Sequence, residues 1–279
     1  MTDAFSNVLV HPTSVAARRA LAVAWRAAGD PRVELLEREL MIFDDRRGAV
    51  DIRPADYDRM TSEIEDIKAR DGAAWAGRIH ELAASYYYEL GLIEAITIPG
   101  DRFVEHASEI LALAPLLEVA LVPPIDVEAV CRIPELARLH GLWISGKQQL
   151  GDREAIMLAS CPYLRNLEMA NWGGNIGDAG CAAIARSPYL RDIKYVDLST
   201  NPCTESLTSI GGWLSPLKFE MSWCLVGPAG QYLVDEAIQR SYNTESQTIF
   251  FPPSLTEFCW TEVGEMPKKL WEPYSLPDA

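Results

Sequence analysis

Apolar residues recur along the middle of the chain at the first, fourth and sixth places of a repeating unit. The units are Ile93/Ile96/Ile98, Leu116/Val119/Leu121, Leu139/Leu142/Ile144, Leu164/Leu167/Met169, Ile193/Val196/Leu198 and Pro216/Phe219/Met221. Their starts lie 23, 23, 25, 29 and 23 residues apart. The fullest copy, Ile193 to Cys203, fits LxxLxLxxNxL, with Asn201 at the ninth place. In such a unit the three apolar side chains enter a core from a short strand and its approach, and the Asn hydrogen-bonds the neighbouring turns. Between strands the pattern turns helical, as over Phe103 to Leu113 and Asp178 to Ala185. Six in-phase copies at a period of about 20–29 residues predict strand-turn-helix units stacked with their strands parallel. Pro123-Pro124 and Lys147 fall near the Asn place of the second and third copies, so those turns are held differently.

Upstream of Ile93 the spacing is that of amphipathic helices. Thr13 or Ser14 can cap a helix to about Ala28, stopped by Gly29-Asp30-Pro31. Val33, Leu36, Leu40 and Phe43 form the apolar stripe of a second helix, and the polar run from Asp44 to Arg53 reads as a loop. Tyr57, Met60, Ile64 and Ile67 mark a third helix ending at Asp71-Gly72, and Trp75, Ile79, Leu82 and Tyr86 a fourth. On that fourth helix Tyr86 packs inward while Tyr87 or Tyr88 supports the junction to the first strand. Past the sixth unit, Pro228 to Arg240 reads as a last helix and Thr248 to Phe251 as a closing strand. A Pro-rich tail with Trp260 and Trp271 then covers the end of the stack. The period is that of leucine-rich repeats. The predicted fold is therefore α/β: a leucine-rich-repeat solenoid (horseshoe) over residues 92–251, behind an N-terminal helical domain (1–91) and before a C-terminal capping tail (252–279).

Composition adds bounds. With 279 residues and 48% apolar content the chain can bury a sizeable core. It opens without a basic, apolar signal segment, and its longest apolar stretch, Ile110 to Ile125, is broken by Pro115, Glu118, Pro123 and Pro124; both point to a cytoplasmic protein without a membrane span. A net charge of −15 opposes a phosphate backbone, which argues against nucleic acid and for a basic protein or peptide as partner. The six cysteines are scattered without CxxC, which suits neither a disulfide framework nor a zinc site and fits a reducing compartment.

The segment Ala20 to Arg32, with Trp25 followed by Gly29-Asp30-Pro31-Arg32, resembles the bacterial repeat-companion domain, a helical module that precedes leucine-rich repeats. The similarity continues through Asp71-Gly72-Ala73-Ala74-Trp75 and Gly91-Leu92-Ile93-Glu94-Ala95-Ile96. It also covers Asn175-Ile176-Gly177-Asp178-Ala179-Gly180 and Ser187-Pro188-Tyr189-Leu190, and spans roughly residues 8 to 240. The chain departs from that pattern at Ala24 and Arg26, where acidic residues are usual. The resemblance implies the fold and carries little about activity, because the fold hosts binding rather than one chemistry.

Strand residues flanking the sixth-place apolar side chain alternate onto the open face. Read down the stack, the fifth place gives Thr97, Ala120, Trp143, Glu168, Asp197 and Glu220, whose last three members form a ladder of acids. Parallel strands about 4.8 Å apart make such a ladder unfavourable unless a cation relieves it. The third and eighth places add Glu118, Asn166, Tyr195, Lys218, Asn171 and Trp223, with Trp172 alongside. Aromatic side chains next to unpaired polar groups are the material of binding hot spots. The predicted partner-binding set is thus Trp143, Asn166, Glu168, Asn171, Trp172, Tyr195, Asp197, Lys218, Glu220 and Trp223. The plainer alternative is a solvated acidic face partly neutralised by Lys218.

Catalytic signatures are missing from the sequence. His11, His80, His106 and His140 are dispersed, and Gly174, Gly177 and Gly180 lack the Lys-Ser or Lys-Thr of a phosphate loop. No GxSxG is present, and the acidic ladder has no aspartate-rich loop to complete a metal shell. The expectation is a non-enzymatic interaction module without cofactor or metal. It would serve as a scaffold or recruiting subunit, or as an inhibitor or immunity-type protein neutralising a basic effector; an enzyme with an unrecognised site is the alternative of a different class.

Overall fold

The computed structural model describes residues 3–144, 150–198 and 201–202, and the backbone alone at Tyr195, Asp197 and 218–220. The N-terminal part is helical: α1 (Asp3–Val10), α2 (Val15–Ala28), α3 (Val33–Arg46), α4 (Pro54–Ala76) and α5 (Arg78–Leu82). Ser14 caps α2 by accepting the Ala17 N–H at 3.2 Å, and Gly29 ends it in the left-handed region at φ 68°. Leu21 and Trp25 of α2 pack with Leu36 and Leu40 of α3 and with Leu90 and Leu92 beyond them.

Two features here differ from the sequence reading. Helix α4 does not stop at Asp71-Gly72 but continues to Ala76. Gly72 is buried beside the Tyr88 ring and its carbonyl accepts the Tyr88 hydroxyl at 2.9 Å, so tertiary contact holds it in the helix. The break comes at Gly77, whose φ of 51° and ψ of −119° suit glycine. Secondly, Tyr86, Tyr87 and Tyr88 lie on a strand rather than a helix. β1 (Ser85–Glu89) pairs antiparallel with β2 (Leu92–Pro99) through a turn at Leu90-Gly91, both with positive φ. Aromatic residues suit a pleated surface. Tyr86 and Tyr88 meet edge to face at 5.9 Å, while Tyr87 lies under the Lys68 ammonium at 5.4 Å.

From β2 onward the chain alternates strands with return segments. The order is α6 (Gly100–Leu113), β3 (Glu118–Val122), α7 (Val127–Val130), a 3-10 turn (Pro134–Arg138), β4 (Gly141–Ile144), β5 (Leu150–Gly151) and α8 (Asp152–Ala159). A second 3-10 turn (Pro162–Leu164) leads to β6 (Met169–Trp172), β7 (Gly174–Asn175), α9 (Asp178–Arg186), β8 (Tyr195–Asp197) and β9 (Lys218–Glu220). The described strands form a seven-stranded sheet, β1-β2-β3-β4-β6-β8-β9, parallel throughout apart from β1, and β5 and β7 pair in a small second sheet. The protein is thus a mixed α/β structure with a mostly parallel sheet. Among the described residues no helix is long and apolar enough to cross a membrane.

The register aligns the core in columns. Ile96, Val119, Leu142, Ala170 and Val196 are neighbours across the strands, as are Ile98, Leu121, Ile144 and Trp172. All are essentially inaccessible, and Phe103, Ile110, Leu136, Leu158 and Ile184 of the return segments close over them. The fourth unit is therefore Leu167/Ala170/Trp172, not Leu164/Leu167/Met169. Leu164 is buried too, but in the 3-10 turn ahead of the strand. The starts on either side of this unit then lie 28 and 26 residues apart instead of 25 and 29.

Turns are tied across units by side chains. Asn201 is buried and donates to the carbonyls of Trp172 (2.9 Å) and Leu198 (2.8 Å), while its own carbonyl oxygen accepts the Ile176 N–H at 2.8 Å. That is the bridging role its place in the repeat predicts. Asp152 Oδ1 accepts the N–H groups of Gly177 (2.7 Å) and Gly180 (2.8 Å) at the start of α9. A Cβ on Gly180 would stand 2.6 Å from Ile176 Cγ2 and 2.9 Å from Ala155 Cβ, so the small residue lets α8 and α9 approach. The glycine run is structural.

Candidate functional site

The strand residues that alternate with the core columns make two rows. One is Ala95, Glu118, Gly141, Met169, Tyr195 and Lys218; the other is Thr97, Ala120, Trp143, Asn171, Asp197 and Glu220. The second row holds Asn171 where the sequence reading placed Glu168. The three-acid ladder consequently does not form, because the fourth unit begins three residues later. Asp197 and Glu220 are direct neighbours, and Asn171 separates them from Trp143.

Glu168 belongs to the approach to β6. Its N–H donates to the His140 carbonyl at 2.7 Å and its carbonyl accepts the Lys194 N–H at 2.7 Å. Its carboxylate takes the Lys194 ammonium at 2.8 Å and lies 3.7 Å from His140 Nδ1. Burial pushes the His140 pKa down, the Glu168 carboxylate opposing. This acid is already paired, which removes it from the set of groups awaiting a partner's cation.

Two tryptophans are also corrected. Trp172 is fully buried at the sixth place of its unit, in register with Ile144, and is a core residue. Its indole N–H has no hydrogen-bond partner among the described residues. Trp143 does lie in the second row but is only 8% exposed, and its indole N–H donates to Glu118 Oε2 at 3.2 Å. Glu118 reaches it by crossing Gly141, where a Cβ would meet Glu118 Cγ at 2.6 Å. Burial pushes the Glu118 carboxyl up to about 7, the Trp143 bond holding it lower than burial alone would. Asn166 is exposed off the strands, its amide donating to the Ala137 carbonyl at 2.7 Å.

Asn171, half-buried on β6, moves from the expected eighth place to the fifth-place row, and Tyr195, Asp197, Lys218 and Glu220 occupy the predicted strand positions. Trp223 lies outside the described residues. The structure therefore gathers five of the expected residues into one block: Asn171, Tyr195, Asp197, Lys218 and Glu220.

Some polar features gave no periodic signal in the sequence. Arg18 is wholly buried and donates to Glu94 and to the carbonyls of Pro12 (2.8 Å), Glu89 (3.3 Å) and Leu90 (3.1 Å). Glu39, buried too, accepts the Gly91 N–H at 2.5 Å and the Lys68 ammonium at 2.7 Å. A cavity of about 550 Å³ lies where the helical part meets the hairpin, lined among others by Trp25, Asp30, Arg32, Trp75 and Tyr88. Asp30 clamps the Arg32 guanidinium, which stacks 4.5 Å from the Trp25 ring centroid. Trp25, Asp30 and Arg32 thus build a wall of this junction.

The histidines remain separate: His80 Nδ1 lies 3.0 Å from the Tyr86 hydroxyl and His106 Nδ1 3.2 Å from Glu109. Among the described residues no three His, Cys, Asp or Glu side chains gather as a metal site would require. No protein-family model matches this sequence, and no curated protein matches it.

Proposed function

We propose that the chain is a leucine-rich-repeat solenoid behind a helical cap, of the repeat-companion type, and that it acts as a non-enzymatic interaction module in the bacterial cytoplasm. Its partner is another protein carrying a basic segment, and neither nucleic acid nor membrane is engaged. The segment binds on the block formed by Asn171, Tyr195, Asp197, Lys218 and Glu220. The observation carrying this reading is the register that sets Asp197 beside Glu220, with Tyr195 and Lys218 in the adjoining row. Two carboxylates on strands about 4.8 Å apart repel, and a Lys or Arg between them relieves that cost. The net charge of −15 supplies long-range attraction for a cationic partner.

The test begins with co-purification from the native host and identification of the partner. An enzyme or effector as partner marks a recruiting subunit, whereas a basic toxin-like partner marks an inhibitor. Wild type and the double variant Asp197→Lys/Glu220→Lys are then titrated with the purified partner. The expected loss is at least about tenfold in affinity, or about 1.4 kcal/mol. Unchanged affinity in a correctly folded variant rejects this face.

A further inference from the structure

The acidic block continues into an apolar stretch of the same face. Toward β3, Asn171 is followed by Trp143 and Ala120 in one row, and Tyr195 by Met169 and Gly141 in the other. Ala120, Trp143 and Met169 are at most 9% exposed although they alternate with the core columns. None of the three belongs to the core behind the sheet or to the one among the helices. This face is thus closed within a single chain, and along its second row it reads as two acids, an amide and then apolar surface. A segment complementary to it carries two adjacent cations followed by bulky apolar side chains. The chain contains one. Beyond Arg240 its only Lys or Arg residues are Lys268 and Lys269, and Leu270 and Trp271 follow them directly. This segment lies outside the described residues. Lys268 comes 48 positions after Glu220, ample chain to return across β9, β8, β6 and β4 at about 4.8 Å per strand. The tether makes the contact intramolecular, so a few interactions suffice to keep the face occupied.

We propose that residues 266–275 dock on this acidic and apolar face of their own chain and compete there with the partner's basic segment. Lys268 and Lys269 meet Glu220 and Asp197, and Leu270 and Trp271 run on toward Met169 and Trp143. Two adjacent lysines match two adjacent carboxylates one to one and relieve the repulsion between them before any partner arrives. The inference rests on the reading of that block as a site for cations. It deepens that reading by making access to the site depend on displacing the chain's own tail. A partner then binds with its affinity reduced by the fraction of molecules in which the face is already filled.

The test uses the full-length protein. A water-soluble carbodiimide, which joins an amine to a carboxylate without a spacer, is applied to dilute wild type, and the linked tryptic peptides are mapped. The ion pair of Lys194 with Glu168 at 2.8 Å serves as the positive control. Trypsin separates the two acids, because it cuts at Lys194, Lys218 and Arg240. Links from Lys268 or Lys269 to Asp197 or Glu220 are expected, and within one chain when light and isotope-labelled protein are mixed. The proposal is overturned if the control link forms while these lysines stay unlinked or join only other acids, or if their links to the two acids run between chains. In a second measurement a synthetic peptide of residues 266–275 is titrated into wild type and variants. It should bind Lys268→Glu/Lys269→Glu at least about tenfold more tightly than wild type, and Asp197→Lys/Glu220→Lys more weakly than either. Equal affinity for wild type and the lysine variant overturns the proposal. Neither measurement contains the partner, so a failure here is distinct from a failure of the partner reading, which shows as unchanged partner affinity in Asp197→Lys/Glu220→Lys.

Discussion

At the scale of single residues, the buried acids set the most direct test. Glu118 is almost inaccessible, and burial holds its carboxyl near 7. Between the ordinary glutamate range and about pH 7, the folded protein keeps a proton there that the unfolded chain has released. This group's contribution to stability is therefore intact at low pH and declines as the pH rises through that window. Glu118→Gln keeps an acceptor for the Trp143 indole and removes the titration. Urea unfolding should find it close to wild type at about pH 4 and more stable at pH 8. The gap should be at most about 3 kcal/mol, since one pKa unit corresponds to about 1.4 kcal/mol. Glu39 and Glu94 titrate in a similar range, so the informative quantity is the difference between variant and wild type. Asn201 gives the second residue-level prediction. Asn201→Ala leaves the buried Ile176 N–H and the Trp172 carbonyl short of partners, at a cost of about 2–4 kcal/mol. A lower urea midpoint with unchanged slope is the expected result.

At the scale of elements, sequence reading succeeded where burial is periodic and failed where contact overrides local preference. The columns through Val119, Leu142 and Val196 were legible because each strand buries the same two places. The fourth unit is masked in the sequence because Leu164-x-x-Leu167-x-Met169 imitates the pattern more strongly than Leu167-x-x-Ala170-x-Trp172, in which the fourth place is only an alanine. The three-residue offset between the two patterns puts Asn171, not Glu168, on the face and Trp172 in the core, so the strands contain no ladder of three acids. The helical spacing of Trp75, Ile79 and Leu82 runs on into Tyr86 to Tyr88, with no turn residue but Gly77 to end it, although the tyrosines lie on β1. The hairpin that follows makes a specific demand at Gly91, where φ is 76° and a Cβ would stand 2.5 Å from Leu36 Cβ. Gly91→Ala therefore combines backbone strain with overpacking, and a loss of about 2–4 kcal/mol is expected in thermal or urea unfolding. The same substitution at Gly48, also at positive φ but with open space around it, should cost about 1 kcal/mol, the strain alone.

At the scale of the whole molecule, charge and register act together. A partner drawn by a net charge of −15 should associate faster at low ionic strength, and binding through Asp197 and Glu220 should weaken as salt shortens the screening length to about 8 Å at 0.15 M. Charge reversal at those two positions should flatten that salt dependence as well as lower affinity, which stopped-flow association rates can resolve. Substitution at Trp143 should instead lower stability, since its ring is buried and its N–H is taken by Glu118.

The hairpin has one more consequence, which concerns the boundary of the sheet. β1 is the first edge strand, and an edge with free carbonyls invites a strand from another molecule. Here Lys68 of α4 donates to the Tyr88 carbonyl at 3.3 Å, and Arg18 of α2 donates to the carbonyls of Glu89 and Leu90. The acceptors that a foreign strand would need at this end of β1 are occupied by two long cationic side chains from the helices. These helices thus take up carbonyls that an added strand could otherwise use, and Arg18 and Lys68 close that end of the edge.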